Sequence, residues 1–270
     1  MDKNKTVLIR GAGDLASGVA VALWQAGWRV FMTELEHPLC VRCEVSFSRA
    51  VYRQTCLVQG IEARRTDLPA QRAGLSRDCI SVSTGDYDLL RQELRPLAVV
   101  DAVMAKRNLG LQLSDAQAVL ALGPGFVAGR DGHAVIESQR GPELGRIIWQ
   151  GAARADTGRP GAVAGVSTQR VLRAPAQGDF RRLRQIGDQV QAGQEVAAVE
   201  GPTGACLIKA QIDGVLRGLL PDHTQVSPGL KCGDVDPRGQ RELCFTVSDK
   251  AAKIGHSAVL ALAQMLEGGR

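Results

Sequence analysis

Two glycine turns, a set of cations and a few carboxylates carry the residue types and spacing in this chain that could do chemistry. Gly11-x-Gly13-x-x-Ala16 follows the apolar run Val7-Leu8-Ile9 and opens an amphipathic segment in which Leu15, Val19, Ala22, Leu23 and Ala26 recur at helical spacing. Gly11 permits a tight turn, Gly13 lets backbone N–H groups approach a phosphate, and Ala16 allows close helix–strand packing. A second apolar run, Val30–Thr33, delivers Glu34, 23 residues past Gly11, near where an acidic residue meets a ribose hydroxyl in dinucleotide sites. The order predicts a strand, glycine turn and helix that bind a phosphate or nucleotide.

Further residues of this kind fall at the ends of other apolar runs. Leu97–Val100 ends in Asp101 and is followed by Met104-Ala-Lys106-Arg107-Asn108; Ala118–Leu122 ends in Gly123-Pro-Gly125. Ligands of open α/β sheets sit outside the carboxyl ends of the strands. Arg10, Gly11, Gly13, Asp14, Glu34, Asp101, Lys106, Arg107, Gly123 and Gly125 are therefore expected around one anion pocket. Arg10 stands where a small residue is usual beside a nicotinamide cofactor, which favours another phosphate placement. Asp131-x-His133-x-x-x-Glu137 would lie along one side of an extended segment, with His133 and Glu137 as acid and base, ligand contacts or a plain polar face. His37-x-x-Cys40-x-x-Cys43 with Cys56 has too loose a last spacing for a tetrahedral centre, and no metal site is assigned.

The elements that must position these groups alternate. Helices are expected over Ser46–Tyr52 and Asp86–Leu94, and strands at Ile80–Val82, Leu97–Val100, Ala118–Leu122, Val135-Ile136 and Ile147–Trp149. This reads as a Rossmann-like, mostly parallel sheet with helices on both faces, over residues 1–165. Near residue 160 a turn-rich stretch, Thr157–Gly161, marks a break. Beyond it Leu172–Gly178 repeats as Ile208–Gly214, and Gln189-Val190-x-x-Gly193 as Gln225-Val226-x-x-Gly229, at an offset of 36. Residues 166–240 are expected to form a smaller all-β barrel-sandwich module of the biotinyl/lipoyl-like kind. The hairpin Glu200–Ala205 has no lysine, so no carrier role is assigned. A strand at Cys244–Val247 and a C-terminal helix with Ile254, Ala258, Ala261, Leu262 and Met265 on its apolar face complete residues 241–270.

Composition sets the class. The 270 residues are 44% hydrophobic and 23% charged, with a net charge of +5 and no block of like charge, so nucleic acid is not an expected partner. No apolar run approaches a membrane span, and no leader-like core precedes the first strand. Seven scattered cysteines fit reduced thiols and a cytoplasmic location.

Long strings of the chain resemble the selenium-dependent molybdenum hydroxylase maturation family of the YqeB type, which is related to xanthine dehydrogenase accessory proteins. They are Ile9-Arg-Gly-Ala-Gly-Asp-Leu-Ala-Ser-Gly18, Met32-Thr-Glu-Leu35, Val100-Asp-Ala-x-Met-Ala-Lys-Arg-Asn-Leu-Gly110, Leu122-Gly-Pro-Gly-Phe-x-Ala-Gly129 and His133-Ala-Val-Ile-Glu137. Shorter ones include Leu172-Arg-Ala-Pro175, Gly233-Asp-x-Asp-Pro-Arg238 and Ser248-Asp-Lys250. The resemblance implies an accessory protein that binds molybdenum cofactor or a nucleotide, with a molybdenum hydroxylase as client. The alternative is an NAD(P)-dependent oxidoreductase using the same glycine loop, with Glu34 favouring NAD. Whether any reaction is catalysed, and whether the chain self-associates, stay open at this level.

Overall fold

The computed structural model describes residues 5–66, 78–202 and 204–267. Met1–Asn4 and Thr203, parts of the expected first-strand approach and hairpin, lie outside them. The chain divides into two compact units. The first comprises Met1–Pro38, Ser46–Thr157 and Val247–Arg270; the second comprises Leu39–Val45 and Gly158–Thr246.

The first unit is built on a nine-stranded sheet. Its strands are β1 (Thr6–Arg10), β2 (Arg29–Thr33), β3 (Thr55–Val58), β4 (Ile61–Arg65), β5 (Ile80–Ser83), β6 (Ala98–Asp101), β7 (Ala118–Leu122), β9 (Ala134–Ile136) and β10 (Ile147–Ile148). They lie in the order β10-β9-β7-β6-β1-β2-β5-β4-β3. The interior pairs are parallel, but β3 runs antiparallel to β4 and β10 antiparallel to β9. A separate two-stranded ribbon joins β8 (Val127–Ala128) to β11 (Gly151–Ala152).

Alternation along β1 explains how both faces are covered. Val7 and Ile9 enter a core with helices α1 (Asp14–Gln25), α2 (Arg49–Arg53) and α4 (Asp249–Glu267). Leu8 enters the opposite core, with Leu90 of α3 (Tyr87–Leu94) and with Leu111, Phe126 and Ala153 from connections. All three β1 side chains are fully buried, as in a central strand covered on both faces. Burying a Leu or Ile completely is worth about 1.5–3 kcal/mol.

The second unit holds two four-stranded antiparallel sheets, ordered β12-β19-β17-β14 and β16-β15-β13-β18. The strands are β12 (Val171–Arg173), β13 (Gly178–Arg182), β14 (Gln189–Val190), β15 (Glu195–Gly201), β16 (Gly204–Lys209), β17 (Gly214–Leu219), β18 (Thr224–Val226) and β19 (Lys231–Asp236). Shifting by 36 residues carries β13 onto β17 and β15 onto β19, so each sheet mixes strands from both copies. Gly178 has φ +157° and Gly214 φ +154°; a Cβ at Gly178 would strike the Glu200 carbonyl, and one at Gly214 the Asp236 carbonyl.

These observations correct the expected architecture of a Rossmann-like domain followed by a barrel-sandwich module and a terminal helix. The large sheet is mixed, because short antiparallel strands close both edges. Its β6-to-β7 connection carries only a 3-10 turn, at Leu113–Asp115. The β unit is two discrete antiparallel sheets, and α4 belongs to the first unit. The strand expected at Cys244–Val247 is also corrected: Arg241–Cys244 is a 3-10 turn. Its Leu243 carbonyl accepts from the buried Arg42 (3.1 Å) and Arg217 (3.3 Å), which side-chain bonding draws into a turn.

Candidate functional site at the carboxyl rim of the sheet

The first glycine turn is fixed from within the protein. Gly11 takes φ +95°, and its N–H donates to the Thr33 carbonyl at 2.8 Å. A Cβ there would come within 3.2 Å of the Ala102 carbonyl oxygen, so the turn lies directly on the segment leaving β6. The buried Ala12 carbonyl accepts from the Ser46 hydroxyl (2.7 Å), the Ser17 hydroxyl (3.1 Å) and the Ser48 N–H (2.9 Å). Gly13 occupies the N-cap of α1 without a side-chain cap bond, and Asp14 opens the helix, where its charge suits the positive end of the helix dipole.

Glu34 turns back onto this loop. Its Oε1 accepts from the Ala12 N–H at 3.4 Å and its Oε2 from the Leu35 N–H at 2.9 Å. Burial pushes its carboxyl above the usual range, against the pull of those two amides. Asp101, buried at the end of β6, accepts from the Val103 N–H (3.1 Å) and pairs with Arg10 (3.2 Å). Burial raises its carboxyl also, opposed by the Val103 amide and Arg10. Arg10 further donates to the Leu109 carbonyl at 2.8 Å and lies over the Tyr87 ring at 4.6 Å.

The remaining loops meet. A Cβ on Gly125 would run into the backbone of Lys106 and Arg107; one on Gly123 would meet the Ser138 hydroxyl and come within 3.1 Å of the Met104 side chain. The Gly123–Gly125 bend is thus seated on the segment that follows β6. Lys106 donates to Asp156 at 2.7 Å, while Arg107 is exposed.

Three residues bear on this rim that sequence reasoning missed. Lys250, in the first turn of α4, is half-buried. Burial lowers its pKa, as does Arg140, while Asp14, Glu137 and Asp249 act the other way. Arg140 grips both Asp249 oxygens, at 2.8 and 3.0 Å. Helix packing brings this group to Asp14. A Cβ on Gly18 would lie 2.7 Å from the Ala251 Cβ, and one on Gly255 would lie 3.0 Å from the Ala22 Cβ. An advance of one turn along α1 therefore matches an advance of one turn along α4. The two helices run side by side in the same direction, with both N-termini at the carboxyl rim. Ser46, Tyr87 and Lys250 left a signal only in Ser46-Phe47 and Ser248-Asp-Lys250, whose roles depend on contacts distant in sequence.

Several expected roles are corrected. Arg10 is not poised for a ligand, because Asp101, the Leu109 carbonyl and the Tyr87 ring engage its guanidinium. Glu34 holds the Ala12 amide that a phosphate in the glycine turn would use. His133 accepts the Val119 N–H on Nδ1 at 3.0 Å, at the start of β9, which is the opposite rim from Glu137 at its end. Glu137 is itself buried and accepts from the Gln139 (2.7 Å) and Arg154 (2.8 Å) amides. The two therefore form no acid–base pair. Among the described residues, no group of three or more His, Cys, Asp or Glu side chains gathers to hold a metal, and all seven cysteines are free thiols. No helix among them is long and apolar enough to cross a membrane.

No family model matches the chain. It is 45% identical over 267 residues to the Escherichia coli (strain K12) protein named "Uncharacterized protein YqeB", a match covering 98% of this chain and 49% of that one. The chain thus spans about half the length of this curated relative, whose name supports the YqeB-type resemblance and carries no maturation role. Solved structures similar to it include an aspartoacylase family protein from Mesorhizobium loti, at 14% identity and TM-score 0.30, covering 86% of this chain and 85% of that one. A succinylglutamate desuccinylase/aspartoacylase from Rhodobacter sphaeroides follows at 15% and 0.28, with coverage of 86% and 85%. The ectoine utilization protein EutE (DoeB) from Ruegeria pomeroyi has 11% and 0.29, with 86% of each chain covered. Likeness this weak carries no activity over to the chain. The curated relative's name carries neither a molybdenum hydroxylase maturation role nor NAD(P)-dependent oxidoreductase activity. With the glycine turn occupied by Glu34 and Arg10 tied to Asp101, both readings are withdrawn, and with them the Rossmann-like cofactor pocket.

Proposed function

We propose that the first unit binds a small organic anion at the carboxyl rim of its sheet, where the N-termini of α1 and α4 lie together. The observation that carries this reading is the same-direction packing of the two helices through Gly18, Ala251 and Gly255. Each helix N-terminus carries roughly half a positive charge that favours a negative guest; Asp14 and Asp249 stand in the two first turns, and Asp249 is already held by Arg140. Lys250 and the exposed Arg107 supply formal charge on the same rim, and Gly125 fixes the Arg107 backbone. Val103 and Leu109, partly exposed beside them, suit an apolar portion of the guest.

Titration calorimetry against a panel of mono- and dicarboxylates, sulfate and phosphate tests this. At least one organic anion is expected to bind saturably, with affinity falling as salt rises. Arg107→Ala should weaken that binding by about tenfold or more, since a charged hydrogen bond is worth about 1.5–3 kcal/mol, with the thermal unfolding midpoint unchanged. Absence of saturable binding across the panel would overturn the reading.

A further inference from the structure

We propose that a cleft at the β3 edge of the nine-stranded sheet binds a small phosphate ester, held by Arg49 and Arg53 of α2. This site is independent of the rim reading, since β3 is the outermost strand, four places from β1 in the sheet order. The cleft encloses about 360 Å³ and is lined by Arg49, Arg53, Thr55, Cys56, Leu57 and Glu62. Pockets for small molecules span about 300–1,000 Å³, so the space fits a sugar phosphate. The Arg65 N–H donates to the Gln54 carbonyl at 2.8 Å, and β3 pairs with β4 through a two-residue turn between Val58 and Ile61. Residues 54, 56 and 58 therefore bond to β4, and Thr55 and Leu57 turn their backbone groups to the free edge. Arg49 confirms that direction by donating to the Leu57 carbonyl at 3.1 Å.

Positive charge is in excess at this edge. Glu62, the carboxylate in the lining, is paired with Arg64 at 2.8 Å. The exposed Arg53 has no ion pair or hydrogen bond among the described residues. Burial pushes the Cys56 thiol up, while Arg49 and Arg53 act the other way, so both cations bear on the floor of the cleft. A planar guanidinium fork matches the oxygens of a phosphate, and the edge N–H groups of Thr55 and Leu57 add donors. The exposed Leu57 side chain and the Thr55 hydroxyl suit the organic part of an ester.

The full chain would be titrated with ribose 5-phosphate by calorimetry. Its arginines would also be mapped by phenylglyoxal labelling with and without that ligand. Saturable binding is expected, with Arg49 and Arg53 protected from the reagent, and ribose itself should not bind. Arg53→Ala should weaken binding about tenfold or more at an unchanged thermal midpoint, and Arg107→Ala should leave it unaltered. Absence of saturable binding, equal binding of ribose, or binding that Arg53→Ala leaves intact would overturn the inference. Protection of Arg107 without Arg49 and Arg53 would overturn it too, and would support the rim site alone.

Discussion

The Ser46 hydroxyl donates a 2.7 Å hydrogen bond to the Ala12 carbonyl, 34 residues earlier in the chain. It ties the glycine turn after β1 to the segment leading into α2. The Ser46 and Ser48 hydroxyls also meet at 2.6 Å, and the Ser17 hydroxyl accepts from the Phe47 N–H at 2.8 Å. Every serine of this knot is buried.

Ser46→Ala removes one of three donors to Ala12 and leaves the Ser48 hydroxyl without its partner. A loss of about 1–3 kcal/mol is expected, read as a lower urea midpoint at unchanged slope. Anion binding should weaken with it, because the turn that starts α1 loosens.

The α1–α4 seam tolerates no added atoms at Gly18. Gly18→Ala should cost about 1–3 kcal/mol, as overpacking does. Ala251→Gly in the same chain should restore only part of this. The Ala251 carbonyl oxygen lies at the same 2.7 Å from the added methyl as the Ala251 Cβ. A double-mutant cycle on unfolding free energies checks the coupling.

The 36-residue repeat predicts matched defects in the second unit. Gly178→Ala and Gly214→Ala each force a methyl onto a carbonyl of the neighbouring strand at a φ that side chains rarely adopt. Each should cost about 1–3 kcal/mol or more, and the two losses should agree closely in parallel denaturant titrations. A large difference would mean that the copies are not energetically equivalent.

Glu34 gives a pH dependence of defined sign. Burial raises its carboxyl above 4.5 in the folded chain, so the native state keeps the proton to higher pH than the unfolded state does. Its contribution to stability is greatest below 4.5 and declines as pH climbs to the raised native value, then levels. Glu34→Gln should abolish that decline when unfolding free energies of the two proteins are compared across acid pH.

Lys250 gives the complementary slope. Its folded pKa lies below 10.5, so the unfolded state binds more protons between the two values. Stability should rise with pH across that window and level above 10.5. Against Lys250→Met, the wild-type chain should gain stability as pH rises; a constant difference would mean an amine with ordinary titration.

The expectations that came through the fold were local ones. Val7–Ile9, Leu97–Val100 and Ala118–Leu122 are apolar runs short enough and continuous enough to read as buried strands, and β1, β6 and β7 form there, β6 starting one residue later at Ala98. Gly27 ends the α1 segment with φ +79° and donates to the Trp24 carbonyl at 2.9 Å. Thr55–Val58 and Ile61–Arg65 had no such run, since each alternates burial with exposure. The antiparallel edge they form went unread, as did the 3-10 turn at Arg241–Cys244, because Cys244-Phe-Thr-Val247, which begins at its last residue, reads as strand.

Residue order alone thus determined where the chain extends, where it turns on glycine, and that one β segment is written twice. Burial of apolar runs and the steric freedom of glycine act over a few residues, so both are visible in the letters. Tertiary structure alone decided which charges are spent inside the protein. Arg10 meets Asp101 across 91 positions, Arg140 meets Asp249 across 109, and Lys250 lies near the second pair. Ion pairing depends on distance in space, which the sheet order and the α1–α4 seam set and no stretch of sequence encodes by itself.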